Sequence, residues 1–237
     1  MSAPERPSLG LPGRVDGIDV SQVQGTIDYA KVAAAGFRFA VVKASEGSTY
    51  TDMRCARHLA GFRAVGMLAL PYAFLHPSRG NAKLQVLNLV RSLGDTWPGR
   101  VCLDLETRAP EQSNLELVRF LEAAVEECMQ WGALEPAIYT YPDYAKRLQP
   151  ELSQSTILGS CPLWMATYGG HQPWVPGPGF APYVPLPWTS WALHQYSGNG
   201  GFRVPGVFGD CDRDLFNGTE EDLRAWLGLP VPAPATE

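Results

Sequence analysis

Between residues 15 and 142 the chain alternates short apolar runs with amphipathic stretches, and few architectures accept that rhythm. VDGIDVS (15–21), FRFAVVKAS (37–45), MLALPYAFLHP (67–77), RVCLDLE (100–106) and PAIYTYP (136–142) read as β-strands. TIDYAKVAAAG (26–36), DMRCARHLAGFRAVG (52–66), NAKLQVLNLVRSLG (81–94) and SNLELVRFLEAAVEECMQWG (113–132) read as the helices between them. The last is the clearest. Ser113 and Glu116 have the spacing of a capping box, and Leu115, Val118, Leu121, Val125 and Cys128 recur on one face. Strands alternating with helices of this length predict a parallel sheet with right-handed crossovers.

After residue 150 the rhythm changes. LWMATYG (163–169), WALHQYS (191–197) and DCDRDLF (210–216) read as strands with no long helix between them. The stretch from 169 to 190 is too rich in Gly and Pro to be helical. TEEDLRAWLG (219–228) reads as a closing helix. About eight strands with five helical crossovers suggest an irregular α/β barrel rather than an open sheet. The organisation expected is a flexible segment at 1–14, one barrel domain at 15–228 and a Pro/Ala-rich tail at 229–237.

The size, 237 residues, suits a single barrel domain with a large core. A net charge of −5 argues against a nucleic-acid partner, and no run approaches the length needed to cross a bilayer. The five cysteines are scattered, without a C-x-x-C pair, as suits free thiols in a reducing compartment. The first residues lack the charged and apolar regions of a secretory signal, so synthesis in the cytosol without Sec export is expected. No metal-ligand spacing or cofactor motif occurs, and none is expected.

Within RVCLDLE, Asp104 and Glu106 lie two residues apart on a strand and so share a face with Cys102, while Leu103 and Leu105 share the other. If the leucines pack under helices, both acids face the barrel mouth, where barrel enzymes place their chemistry. Asp19 ends the first strand, and Asp210, Asp212 and Asp214 lie near the last. First and last strands are neighbours in a closed barrel, so these acids can converge. Crowded carboxylates of unequal burial separate into a proton donor and an anion, the pairing that glycoside cleavage uses. Alone, a D-x-E pair also fits two acids capping a neighbouring loop.

Tyr72, Phe74, Tyr139, Trp164, Tyr168 and Tyr196 fall near predicted strand ends. Such rings stack on sugars or fill core. Lys43 and Glu46 of KASEG fit either a substrate contact or a salt bridge at the rim. His76 and His194 are the histidines nearest the mouth, and Cys102 reads as a buried filler.

Eight segments in order carry a resemblance to a known family: GIDVSQVQGTIDY (17–29), VVKASEG (41–47), YAFLHP (72–77), LDLE (103–106), AIYTYP (137–142), LWMATYG (163–169), HQYS (194–197) and DCDRDLFNG (210–218). Together they resemble glycoside hydrolase family 25, the Chalaropsis-type muramidases found in bacteria and as phage endolysins. The resemblance implies a (β/α)5β3 TIM-like barrel that cuts the β-1,4 bond between N-acetylmuramic acid and N-acetylglucosamine. It implies Glu106 as general acid/base and Asp104 as the carboxylate that stabilises a substrate-assisted intermediate. Asp19 and Asp212 are then supporting acids. Tyr139 and Trp164 match groove positions, and Gln195 of HQYS joins the sugar contacts. Two positions depart from the family pattern: His194 stands where Trp is usual, and Asp214 where Asn is usual. Bacterial peptidoglycan is the partner implied. A phage lysin, or a wall-cutting part of a contractile tail or injection machine attached through the termini, would act on the wall after lysis, injection or non-classical release. The competing readings are a related barrel hydrolase acting on another N-acetylhexosamine polymer such as chitin, and a non-catalytic glycan-binding plug.

Overall fold

The structure, a computed structural model, describes residues 5–77, 81–94, 99–169, 174–198 and 202–231. Nine strands are found among them: β1 (Arg14–Val20), β2 (Phe39–Glu46), β3 (Tyr50–Thr51), β4 (Leu68–Phe74), β5 (Cys102–Asp104), β6 (Ala137–Thr140), β7 (Leu163–Ala166), β8 (Leu193–Ser197) and β9 (Asp212–Asn217). The helices are α1 (Tyr29–Ala34), α2 (Cys55–Ala64), α3 (Ala82–Leu93), α4 (Asn114–Gln130), α5 (Pro142–Arg147), α6 (Thr156–Ser160) and α7 (Glu220–Trp226). Eight strands close a barrel in the order β1-β9-β8-β7-β6-β5-β4-β2, with β2 returning to β1. The short β3 adds to the end of β2 as a hairpin that the sequence pattern did not announce.

Among the barrel strands the expected parallel pairing holds from β1 through β8, the hairpin strand β3 aside, but β9 runs antiparallel to both its neighbours. No helix occurs among the described residues between β8 and β9, so the chain has no crossover to bring it back to the starting end. The reversal matters for chemistry: β9 begins where β1 ends, and Asp212 pairs in register with Asp19.

Side-chain alternation divides the core in two. Ile18, Val20, Ala40, Val42, Leu103, Leu105 and Ile138 face outward and pack under the helices. Val15, Phe39, Val41, Leu70, Cys102, Trp164, Leu193 and Phe216 fill the barrel interior. Strands covered on both faces explain the nearly continuous apolar runs. Gly17 makes room for this filling, because a Cβ there would lie 2.2 Å from the Phe39 ring. Gly17→Ala is therefore expected to cost about 1–3 kcal/mol through overpacking, read as a lower Tm.

The capping box of α4 forms as predicted: Glu116 N–H donates to Ser113 Oγ, and Ser113 N–H donates to Glu116 Oε2 at 2.9 Å. Its buried stripe is shifted, however. Leu115 is exposed, and Leu117 and Phe120 join Val118, Leu121, Val125 and Cys128 in the core. Helices α5 and α6 occupy a region with no predicted element; Pro142 starts α5 at a position where its missing N–H costs nothing.

The described part of the leading segment makes hydrogen bonds to the barrel. Leu9 and Gly10 donate backbone N–H bonds to the buried Asp16, and Arg213 donates to the Pro7 and Arg6 carbonyls. Residues 1–4 of that segment, 170–173 of the predicted non-helical stretch and 232–237 of the Pro/Ala tail lie outside the described residues. All five cysteines are free and buried.

Candidate active site

β5 ends at Asp104, and Glu106 stands just past the strand end, half-buried, with its back to the outward-packed Leu105. Asp19 comes from the end of β1, Asp212 and Asp214 from the start of β9. All five acids project to the barrel's interior or its mouth, at the C-terminal ends of the parallel strands. Each is held more readily protonated than an ordinary carboxyl, burial being the largest cause in every case. Asp104 is pushed well up, with Glu106 and Asp19 adding repulsion and the Lys43 charge opposing it. Glu106 is raised by burial and drawn back by Lys43. Asp212 is pushed up to about 8, with help from Asp19 and Asp210. Asp214 also reaches about 8, although the Trp164 hydrogen bond favours its anion. Asp19 is raised well above its usual range by burial and by Asp214.

The neighbouring polar groups form one network. Gln195 Nε2 donates to Asp19 Oδ2 at 2.7 Å, and its Oε1 accepts from Tyr139 Oη at 2.9 Å and from Tyr168 Oη. Trp164 Nε1 donates to Asp214 Oδ1 at 2.8 Å. Asp104 Oδ1 is buried with no hydrogen-bond partner among the described residues.

Two clefts flank the acids. One, of about 340 Å³, is lined by Glu106, Tyr139, Tyr141, Asp143, Thr167 and Tyr168. The other, of about 630 Å³, includes Lys43, Glu46, Tyr50, Asp52 and His76. On its rim Glu46 binds Lys43 Nζ at 2.5 Å and His76 Nε2 at 2.8 Å, while Lys43 sits 4.8 Å from the centre of the Phe74 ring. Residues 43 and 46 would face opposite ways on a regular strand. A bulge between Lys43 and Ser45 resets the phase and turns both to the mouth.

Most of the predicted aromatics do gather here, in different roles. Tyr72 and Phe74 are half-buried on the inner face of β4, and Tyr168 is 46% exposed. Trp164 offers no free face: it is 2% exposed, wedged edge-on against Tyr72 and Tyr139, and its part is to hold Asp214. Tyr196 requires correction as a sugar contact. It is fully buried on the outward face of β8 beside His194, because Gln195 next to it takes the inward position. His194 itself is buried, stacked on Phe180, hydrogen-bonded to the Thr167 carbonyl and held neutral by burial at a pKa of about 4.

The hollow is thus acidic, flanked by clefts on two sides and floored by tyrosines. Residues 18–207 match the family described as Glycosyl hydrolases family 25. The chain belongs to that family. It is therefore a glycoside hydrolase with the barrel its sequence suggested. Over 221 residues it is 30% identical to Lysozyme M1 of Streptomyces globisporus, an overlap of 89% of this chain and 70% of that protein. It is 25% identical over 200 residues to the N,O-diacetylmuramidase of Chalaropsis sp, covering 79% of this chain and 93% of the other. Among solved structures, the bacterial lysozyme from Streptomyces coelicolor superposes with a TM-score of 0.75 at 28% identity, over 90% of this chain and 96% of that one.

For this family 25 hydrolase, sequence reasoning counted Asp214 among the converging acids without giving it a role, and missed Tyr141 in the cleft wall. The D-R-D spacing at 212–214 was the available signal, since i and i+2 share a strand face.

The buried acids also make stability depend on pH, and Asp212 shows the sign. It keeps its proton up to about pH 8 in the folded chain but releases it near 3.8 when unfolded. Its contribution is complete below about pH 4 and is lost as pH rises to about 8, at up to about 1.4 kcal/mol per pH unit for the retained proton. Calorimetric Tm is expected to fall across that window; a flat or rising Tm would contradict the protonation assigned to it.

Proposed function

We propose that this hydrolase is a muramidase, cleaving the β-1,4 bond between N-acetylmuramic acid and N-acetylglucosamine in bacterial peptidoglycan. One observation carries the reading: Asp104 Oδ1 lies buried, without a donor among the described residues, two residues from the half-buried Glu106, whose pKa burial raises. A 2-acetamido sugar supplies what is missing, an N–H aimed at that oxygen. The N–H, together with the positive charge that grows on the closing ring, favours the Asp104 anion, so that substrate binding lowers the pKa of this acid and its proton is released to solvent.

Glu106 gives its proton to the glycosidic oxygen as the acetamido oxygen attacks the anomeric carbon. The ring that forms carries positive charge, which Asp104 balances. Glu106, now a carboxylate, then takes a proton from the water that opens the ring and restores the anomeric configuration. Asp19 and Asp212 keep the surrounding wall polar without adding full negative charge. Lys43 limits how far the pKa of Glu106 rises. Clefts on both sides of the acids suit a polymer entering on one side and leaving on the other.

The names of the relatives, a lysozyme and an N,O-diacetylmuramidase, support peptidoglycan as the substrate. Synthesis in a reducing compartment is supported by five buried free thiols, and action on the wall after lysis or injection belongs to the same proposal. A phage-lysin or injection-machine setting would place partners at the termini.

Purified peptidoglycan and chitin oligomers separate the readings. Release of reducing ends from the first but not the second is expected. Equal release from both would replace the muramidase with a broader N-acetylhexosaminidase, and release from neither would favour a glycan-binding plug.

A further inference from the structure

Resting on the hydrolase reading above, we propose that Asp19 and Asp214 hold a single proton between them. This acid–carboxylate pair positions the Gln195 amide, and through it the Tyr139 and Tyr168 hydroxyls, on the floor of the sugar-binding hollow.

Asp214 is wholly buried. Its Oδ1 is satisfied by Trp164, but its Oδ2 has no partner among the neutral donors around it. A carboxylate with one orphaned oxygen in such a place is not tolerated without compensation. The group that can compensate is Asp19. Asp214 lies opposite Gly17 and Asp212 opposite Asp19, so Asp19 and Asp214 are diagonal neighbours on the inner face of β1 and β9. Two ionised carboxylates repel at that range, whereas one acid and one anion make a short, charge-assisted hydrogen bond. The directions agree: contact with Asp214 keeps the Asp19 proton on, and contact with Asp19 favours the Asp214 anion. One of the two is therefore the donor and the other the acceptor.

The rest of the network depends on that assignment. Gln195 Oε1 accepts from two tyrosine hydroxyls, and its Nε2 is the end that meets Asp19 Oδ2. Asp19 is anchored between Gln195 on one side and Asp214 on the other, and Trp164 fixes Asp214 from β7. When the shared proton leaves to solvent base, two buried anions face each other. The contact opens, Asp19 swings, and the amide with its two tyrosines loses its register.

Most of the other groups facing the pair do not titrate in its range. The Cys102 and Cys211 thiols and the Tyr72, Tyr139 and Tyr168 phenols are all pushed up by burial and stay neutral. The carboxyls of Asp212, Asp104 and Glu106 remain, and Lys43 is the cation whose charge reaches Asp104 and Glu106.

Asp214→Asn tests the pair, because an asparagine amide donates to Asp19 and removes the need for the proton. Infrared difference spectra of wild type against Asp214→Asn at about pH 9, above the pKa of about 8 of Asp214 and with no substrate, should show the loss of the one carboxylic-acid band that the pair retains. In the pH profile, the pair adds its ionisation to that of Glu106. The ionisation of Asp212 is common to both proteins, so the alkaline fall in log kcat/KM should be steeper by about one unit of slope in wild type than in the variant. An unchanged acid-band count, or identical alkaline slopes, would overturn the proposal. The infrared readout needs no turnover, so its failure would leave the muramidase reading standing, and failure of activity on peptidoglycan would leave the pair standing. Should Asp214→Asn not fold, Asp19→Asn reads the same band, its introduced amide donating to Asp214; retention of that band would count equally against the shared proton.

Discussion

Glu106→Gln is expected to lower turnover on peptidoglycan by about 10²- to 10⁴-fold, the usual worth of a positioned general acid, while Tm stays near wild type. Glutamine has the same shape and can still hydrogen-bond, but it has no proton to give to the leaving oxygen. Stability should not suffer, because Glu106 stands beyond the strand end, half-buried, and burial works against its charge rather than for it. Steady-state rates with solubilised glycan strands and a melting curve on the same preparation check both halves. Turnover within a factor of a few of wild type would remove Glu106 from the role of acid.

Asp104→Asn should also cut kcat severely, by about 10²- to 10³-fold, by analogy with removing one preorganised electrostatic contact at a reacting group. The reason differs. An asparagine can be turned so that its oxygen accepts the acetamido N–H, so the sugar still binds, but it brings no charge to balance the oxazolinium-like ring. The loss should therefore fall on kcat, with glycan Kd changed little. The folded protein should gain stability at neutral pH, since a fully buried carboxyl crowded by Glu106 and Asp19 is replaced by a neutral group. Loss of binding with normal turnover per bound strand would contradict the assignment.

Much of this site was legible because it obeys local rules. The phase of RVCLDLE is set by Leu103 and Leu105, which need the helices, so Cys102, Asp104 and Glu106 had to turn inward or toward the mouth. HQYS is less regular: a register shift between Gln195 and Ser197 leaves Gln195 facing inward and Tyr196 packed beside His194, so the two do not both reach the sugar. Other features depend on contacts between distant segments. The bulge that brings Glu46 round to Lys43 depends on pairing with β4. The antiparallel course of β9 is set by its neighbours β1 and β8, and local periodicity does not encode strand direction. Trp164 looked like a stacking platform at a strand end, yet its indole N–H is taken by Asp214, fifty residues on. The acids at 212 and 214 share a face by spacing alone, but only the closed barrel sets Asp214 diagonally against Asp19.

The central claim is that the acids carried by β1, β5 and β9 act together on one bond, the one on the reducing side of muramic acid. Mass spectrometry of borohydride-reduced muropeptides, after digestion of peptidoglycan by wild type and by Glu106→Gln, tests it most directly. The account predicts muramitol at every new end with wild type and almost none with the variant. Glucosaminitol ends, or equal product from both proteins, would contradict it.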